Sequence, residues 1–140
     1  MRIKIKQLND NIQAPIRGTV HSAGIDLRLS SVKECVAGVY TLGLGVAVEI
    51  PINHYGLLAV RSSWGEKGLQ LTNGVGVIDS DYRGELMMKC VFNHRGVDFP
   101  EIGERIAQLI VQPYLSVGIE LVEKLNNTVR GEGGYGSTNR

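Results

Sequence analysis

Apolar residues recur along this chain with a period of two. Ile3 and Ile5 alternate with Lys4 and Lys6, and Leu42, Leu44, Val46 and Val48 alternate with Gly43, Gly45 and Ala47. Ile25, Leu27 and Leu29 alternate with Asp26 and Arg28, which sets Asp26 on the face opposite the apolar residues, where solvent is expected. The alternation returns in Leu86, Met88, Cys90 and Phe92, and in Leu115, Val117, Ile119 and Leu121. Side chains of an extended chain point to opposite faces in turn, so these runs predict half-buried strands. Turn signals such as Asn93-His94-Arg95-Gly96 and Pro100-Glu101-Ile102-Gly103 separate them. Many short strands at this spacing predict an all-β sandwich or barrel. Ile106-Ala107-Gln108-Leu109-Ile110-Val111 is apolar on both faces, as in a strand covered on two sides, and in so small a domain it hints at a subunit interface. Helix is expected only at residues 62–67, with Ser62 or Ser63 as N-cap and Glu66 in the first turn.

Composition narrows the function classes. A chain of 140 residues fits one domain with one core. A net charge of +1 provides no basic groove for polymeric nucleic acid. No apolar run approaches the ~20 residues that span a bilayer, and Met1-Arg2-Ile3-Lys4 lacks a signal-peptide core, so no membrane partner and a cytoplasmic location are expected. Cys35 and Cys90 lack metal-ligand spacing and sit in apolar strand-like segments, which reads as two buried thiols.

Three segments carry candidate chemistry. Residues 79–84 place two carboxylates and a tyrosine on a polar turn between the strand formers Val75, Val77 and Ile78 and the apolar run Leu86-Met87-Met88, which reads as a hairpin. Gly74 and Gly76 mark a bulge or a place where a ligand approaches the backbone closely. Alone, the Asp79-Ser80-Asp81 turn is equally well a solvated loop. Arg61-Ser62-Ser63 follows the strand Leu57-Leu58-Ala59-Val60 and sets a basic residue beside two hydroxyls, suited to an anion or simply to a cap. The tail from Arg130 to Arg140 is rich in glycine, cannot bury a core side chain and is expected to be mobile; Arg130, Ser137 and Thr138 give it phosphate-binding groups, although a frayed terminus explains it as well.

Taken in order, Ser22-Ala23-Gly24-Ile25-Asp26-Leu27, Arg61-Ser62-Ser63, residues 73–85, Gly103-Glu104-Arg105-Ile106-Ala107-Gln108-Leu109 and residues 130–138 resemble the five ordered motifs of the trimeric deoxyuridine triphosphatases, the dUTPases. The resemblance spans nearly the whole chain. It implies a jelly-roll-like (β-clip) subunit of a homotrimer, with a β-rich domain at residues 1–125 and a tail at 126–140 that closes over active sites shared by subunits. The implied reaction is Mg²⁺-dependent hydrolysis of dUTP to dUMP and pyrophosphate, which limits uracil in DNA and supplies a thymidylate precursor.

The resemblance also implies roles for residues. Backbone groups near Val77 and Ile78 would receive uracil with help from the Asn73 side chain, and Tyr82 would lie against the deoxyribose and exclude a 2′-hydroxyl. Met87 would touch the substrate. Asp79 would deprotonate the water that attacks the α-phosphorus. Arg61, Ser62 and Ser63 would bind phosphates and Gln108 would lie near the α-phosphate. Asp26 would approach Mg²⁺ through water, in keeping with an ion that takes few protein ligands. In the tail, Tyr135 would stack on uracil while Arg130, Gly136 and Ser137 hold phosphate.

Some positions depart from the family pattern. Trp64 stands where relatives commonly have Leu, a His between Lys67 and Gly68 is missing, and the loop is therefore one residue short. Ile25 stands at a position often aromatic or Leu, and Tyr135 replaces the usual Phe. Two rivals carry different chemistry. The dCTP deaminases share the fold and an Arg-Ser-Ser segment but have a catalytic Glu where this chain reads Asp79-Ser80-Asp81-Tyr82. A nucleotide-sensing module would keep the pocket without turnover, which the intact Asp79, Asp26 and Gln108 argue against.

Overall fold

The computed structural model describes residues 2–93 and 96–134. Ten strands and one helical turn follow in the order β1 (Lys4–Gln7), β2 (Ile25–Arg28), β3 (Ser31–Val36), β4 (Val39–Gly43), β5 (Val46–Glu49), β6 (His54–Val60), α1 (Ser62–Glu66), β7 (Leu69–Leu71), β8 (Gly76–Ile78), β9 (Met87–Phe92) and β10 (Arg105–Pro113). They form two four-stranded antiparallel sheets, β2-β10-β6-β8 and β3-β4-β9-β7, and a two-stranded ribbon, β1-β5. The result is the all-β, jelly-roll-like subunit expected from the alternation.

One apolar cluster lies between the sheets. Leu27, Leu58, Ile106 and Leu109 enter it from the first sheet, and Leu42, Leu69, Met88 and Cys90 from the second; each is at most 1% exposed. Full burial of such side chains contributes roughly 1.5–3 kcal/mol each. Val46 and Val48 of β5 belong to the same cluster, and Ile3 and Ile5 pack against it, so the ribbon closes one end. Among the described residues no helix is long and apolar enough to cross a membrane.

Five expectations need correction. The alternation from Leu42 to Val48 is not one strand: the chain turns at Leu44 and Gly45, β4 pairs with β9 and β3, and β5 pairs with β1. The strands flanking the turn at residues 79–84 are not a hairpin. β8 pairs with β6 through Ile78↔Gly56, whereas β9 pairs with β4 through Met87↔Gly43, so the turn crosses from one sheet to the other. Residues 115–121 form no strand despite their alternation. Leu115, Val117, Ile119 and Leu121 are between 77% and 95% exposed, because nothing within the described chain offers them a ladder partner or an apolar face. Cys35 is exposed on β3; only Cys90 is buried. Asp26 is not solvated but 7% exposed, for a reason that lies in the site.

Candidate active site

Three segments distant in sequence meet where β2, β10 and the end of β6 lie side by side. Gln108 of β10 stands opposite both Asp26 of β2 and Ala59 of β6. Arg61 continues β6, and its backbone N–H donates to the Ile106 carbonyl at 2.9 Å, which fixes it beside β10. Asp26 is then held from two sides: Arg61 Nε lies 3.1 Å from one carboxylate oxygen and Arg105 Nη1 lies 3.1 Å from the other. Arg61 Nη1 also donates to the Arg105 carbonyl at 3.2 Å. A carboxylate this dry is tolerated only when paired and hydrogen-bonded, which explains why strand alternation misplaces it. Two guanidiniums against one carboxylate leave the cluster with one net positive charge.

That cluster borders a depression of about 310 Å³ with Ser22, Gly24, Ser62 and Gln108. Gly24 leaves room for Gln108, since a Cβ would lie 2.6 Å from its Oε1 and 3.1 Å from its Cβ. Arg17 Nη1 donates to the carbonyls of Ser22 at 2.5 Å and Ala23 at 2.9 Å and so fixes the loop before β2. The N-cap of α1 is Arg61, not Ser62 or Ser63, no side chain caps the turn, and Glu66 is its last residue rather than part of its first turn. Both hydroxyls are therefore exposed and not spent on capping. Trp64 roots the turn in the core against Phe92, with ring centroids 6.2 Å apart, and Lys67 Nζ sits 4.1 Å from the centre of the indole. The short loop then closes through Gly68 N–H on the Gly65 carbonyl and Asn93 N–H on the Gly68 carbonyl. Its opening Arg61-Ser62-Ser63 keeps its place.

A second depression, of about 220 Å³, is lined by Val77, Ile78, Asp79, Tyr82, Glu85, Leu86 and Met87. β8 is the edge of its sheet, so one side of its backbone faces outward unpaired. At Gly76 a Cβ would lie 3.1 Å from Leu58 Cβ, so the glycine lets β8 pack closely on β6. The turn is held by Tyr82 N–H on the Asp79 carbonyl at 3.2 Å and by Arg83 Nη1 on the carbonyls of Ser80 and Tyr82 at 2.7 and 2.9 Å. Asp79 is exposed, and its carboxylate has no hydrogen bond or ion pair among the described residues. Met87 is half-exposed beside it.

The expected residues thus fall into two groups that one chain does not unite. Ile78 faces Gly56, while Gln108 faces Ala59 two strands away from β8. At ~3.3 Å per residue along a strand and ~4.8 Å between strands, the Asp79 and Gln108 backbones are about 16 Å apart. The two depressions share no lining residue. Asn73 lies in the exposed loop between β7 and β8 and lines neither depression, and the exposed Arg130 is engaged locally, Nε donating to the Gly133 carbonyl at 2.8 Å. Tyr135, Gly136 and Ser137 lie outside the described residues.

Sequence reading overlooked Arg105, the second guanidinium on Asp26. Its signal was a lone charge at the mouth of a doubly apolar strand, a position that calls for a carboxylate partner. For a metal, no cluster of three or more His, Cys, Asp or Glu side chains exists among the described residues. Each Asp26 oxygen keeps a spare lone pair that can accept a hydrogen bond from water in an ion's hydration shell. The donor set therefore fits an ion carried in by phosphates rather than one caged by protein.

A sequence profile of the dUTPase family matches residues 10–139. The deoxyuridine 5'-triphosphate nucleotidohydrolase of Yarrowia lipolytica is 41% identical over 142 residues, covering 99% of this chain and 89% of that protein. The enzyme of the same name from Escherichia phage T5 is 38% identical over 145 residues, covering 97% of each. Among solved structures, Staphylococcus bacteriophage 80alpha dUTPase with dUPNHPP superposes with a TM-score of 0.80 at 28% identity, over 97% of both chains.

Proposed function

We propose, for a chain that belongs to the dUTPase family, that it hydrolyses dUTP to dUMP and pyrophosphate in active sites shared by the subunits of a homotrimer. The observation that carries the reading is the Asp79 carboxylate, without a partner among the described residues, at the rim of the depression that holds Tyr82 and the free edge of β8. Uracil pairs with outward backbone groups of Val77 and Ile78, with Asn73 assisting, and Met87 and Tyr82 bound the sugar. Asp79 takes a proton from the water attacking the α-phosphorus, a role that contributes about 10² to 10⁴ in rate. Arg61, Ser62, Ser63 and Gln108 receive the phosphates on the other side of the site. Asp26 would hold Mg²⁺ through water, and the ion would supply neutralisation of phosphate charge. The tail at residues 126–140 closes over the nucleotide, with Arg130, Gly136 and Ser137 on phosphate and Tyr135 on the base.

Sharing between subunits resolves the 16 Å gap estimated from strand geometry. A second chain can set its Arg61 cluster against the Asp79 depression of the first. The exposed, alternating residues 115–121 and the half-exposed Ile110 and Val111 give such contacts apolar surface. Acting on free nucleotide, the enzyme works in the cytoplasm, limits uracil in DNA and supplies dUMP. The test is pyrophosphate release across dUTP, dCTP, dTTP and UTP, with sizing in solution. Preference for dUTP by a trimer is expected; ammonia from dCTP would identify a deaminase instead.

A further inference from the structure

We propose that Gly84 is a specificity-determining residue, which fixes the Tyr82 ring at the height that admits deoxyribose and rejects ribose. The inference rests on the reading of Tyr82 as the wall of the sugar pocket. The Tyr82 ring folds back over the backbone of Gly84: a Cβ there would run into Tyr82 Oη and lie 2.6 Å from Cζ and 3.1 Å from Cε2. Gly84 is not among the glycines with positive φ, so its backbone conformation does not demand glycine. What a side chain would meet is the tyrosine.

The ring is also tied at its tip. Tyr82 Oη donates to the Glu85 carbonyl at 3.0 Å. Glu85 is in turn held by Gly45 N–H, which donates to its carboxylate at 3.0 Å, and by Lys33 Nζ at 2.9 Å. The ring therefore has a floor at Gly84 and an anchor at Glu85 that is tied to β3 and to the turn between β4 and β5. Its free side forms the wall of the depression shared with Asp79 and Met87. A methyl group at residue 84 lifts this wall by roughly 1 Å, because carbon atoms settle at about 3.5–4.0 Å from one another. Pockets that discriminate by a single small group achieve roughly 10- to 200-fold, so a shift of that size removes much of the selectivity.

The experiment measures kcat/KM for dUTP and UTP in wild type, Gly84→Ala, Tyr82→Phe, Tyr82→Ala and the double variant Tyr82→Ala/Gly84→Ala, with thermal unfolding alongside. Gly84→Ala is expected to lower the dUTP:UTP ratio about 10-fold with little change in Tm. Tyr82→Phe, which loses the anchor but leaves the floor, is expected to fall between wild type and Tyr82→Ala. The double variant should match Tyr82→Ala alone, because Gly84 acts only through the ring. A wild-type ratio in Gly84→Ala with a lowered ratio in Tyr82→Ala overturns this inference and leaves the sugar wall standing. Additive losses in the double variant overturn it as well. A wild-type ratio in Tyr82→Ala removes the sugar wall itself and the inference with it.

Discussion

Asp26→Asn separates two jobs for one carboxylate. If Asp26 only steadies an ion's water, its loss is felt through Mg²⁺; if it orients Arg61, its loss is felt in the fold. Asp26 is 10% exposed at its side chain and accepts from Arg61 and Arg105, which are 29% and 38% exposed, at 3.1 Å each. A hydrogen bond to a charged group contributes about 1.5–3 kcal/mol, and removing one partner of a fully buried pair costs about 3–5 kcal/mol. Solvent screening of the two half-open guanidiniums reduces this to about 2–3 kcal/mol. Asparagine keeps one acceptor but turns an amide donor toward a guanidinium donor, so little is recovered. For a chain of this size the expected fall in Tm is roughly 5–10 °C, measured at equal protomer concentration because assembly contributes to stability. Pyrophosphate release from dUTP, followed across a series of Mg²⁺ concentrations, is expected to drop about 10-fold or more and to stay low at saturating Mg²⁺. A Tm within 1–2 °C of wild type, with activity restored by added Mg²⁺, would refute the orienting role.

Asp79→Asn is expected to bind dUTP with near-normal affinity while kcat falls about 10² to 10⁴-fold; calorimetry with single-turnover kinetics checks this, and a normal kcat removes Asp79 as the base. Deleting residues 130–140 should lower kcat/KM about 10-fold or more without changing Tm or mass in solution, whereas an unchanged kcat/KM would show that the tail is no lid. Burial pushes the Cys90 thiol up from 9.0 to about 12. An unfolded chain loses that proton near pH 9 while the folded one keeps it, so stability falls between about pH 9 and 12, by up to ~1.4 kcal/mol per unit. Urea denaturation of Cys90→Ala should show a shallower alkaline slope than wild type, and equal slopes would contradict the assignment.

The strands were legible where one face met the core. Leu27 and Leu29 are separated by Arg28, and Met88 and Cys90 by Lys89, because the sheet interior admits only one face, and the structure buries each of the four apolar side chains. Pairing was not legible, because alternation records which face is buried and not which strand lies alongside. The segment from Gly76 to Phe92 reads as a hairpin by spacing, yet its two strands belong to opposite sheets. The same blindness hid Asp26, whose burial is decided by Arg61 and Arg105, 35 and 79 residues away in sequence. Ordered motifs supplied what periodicity lacked, since Ser22 to Gln108 converge only through β2, β6 and β10 lying side by side.

Alternation also appears where the subunit has no use for it. Leu115, Val117, Ile119 and Leu121 carry the period-two pattern as clearly as any buried strand, but they lie outside any strand and exposed beyond Pro113. Four exposed apolar side chains in register withhold several kcal/mol of burial, at roughly 1.5–3 kcal/mol each. A second subunit offering a sheet edge would recover it and supply the missing ladder. The same association would let the Arg61 cluster of one chain meet the Asp79 depression of another, two groups that line separate depressions on one subunit. Disrupting the contact with charged residues at Val117 and Ile119 should therefore abolish turnover together with assembly, while leaving the folded subunit intact by circular dichroism. Monomers that still release pyrophosphate from dUTP would show that one chain completes the site and would refute its sharing between subunits.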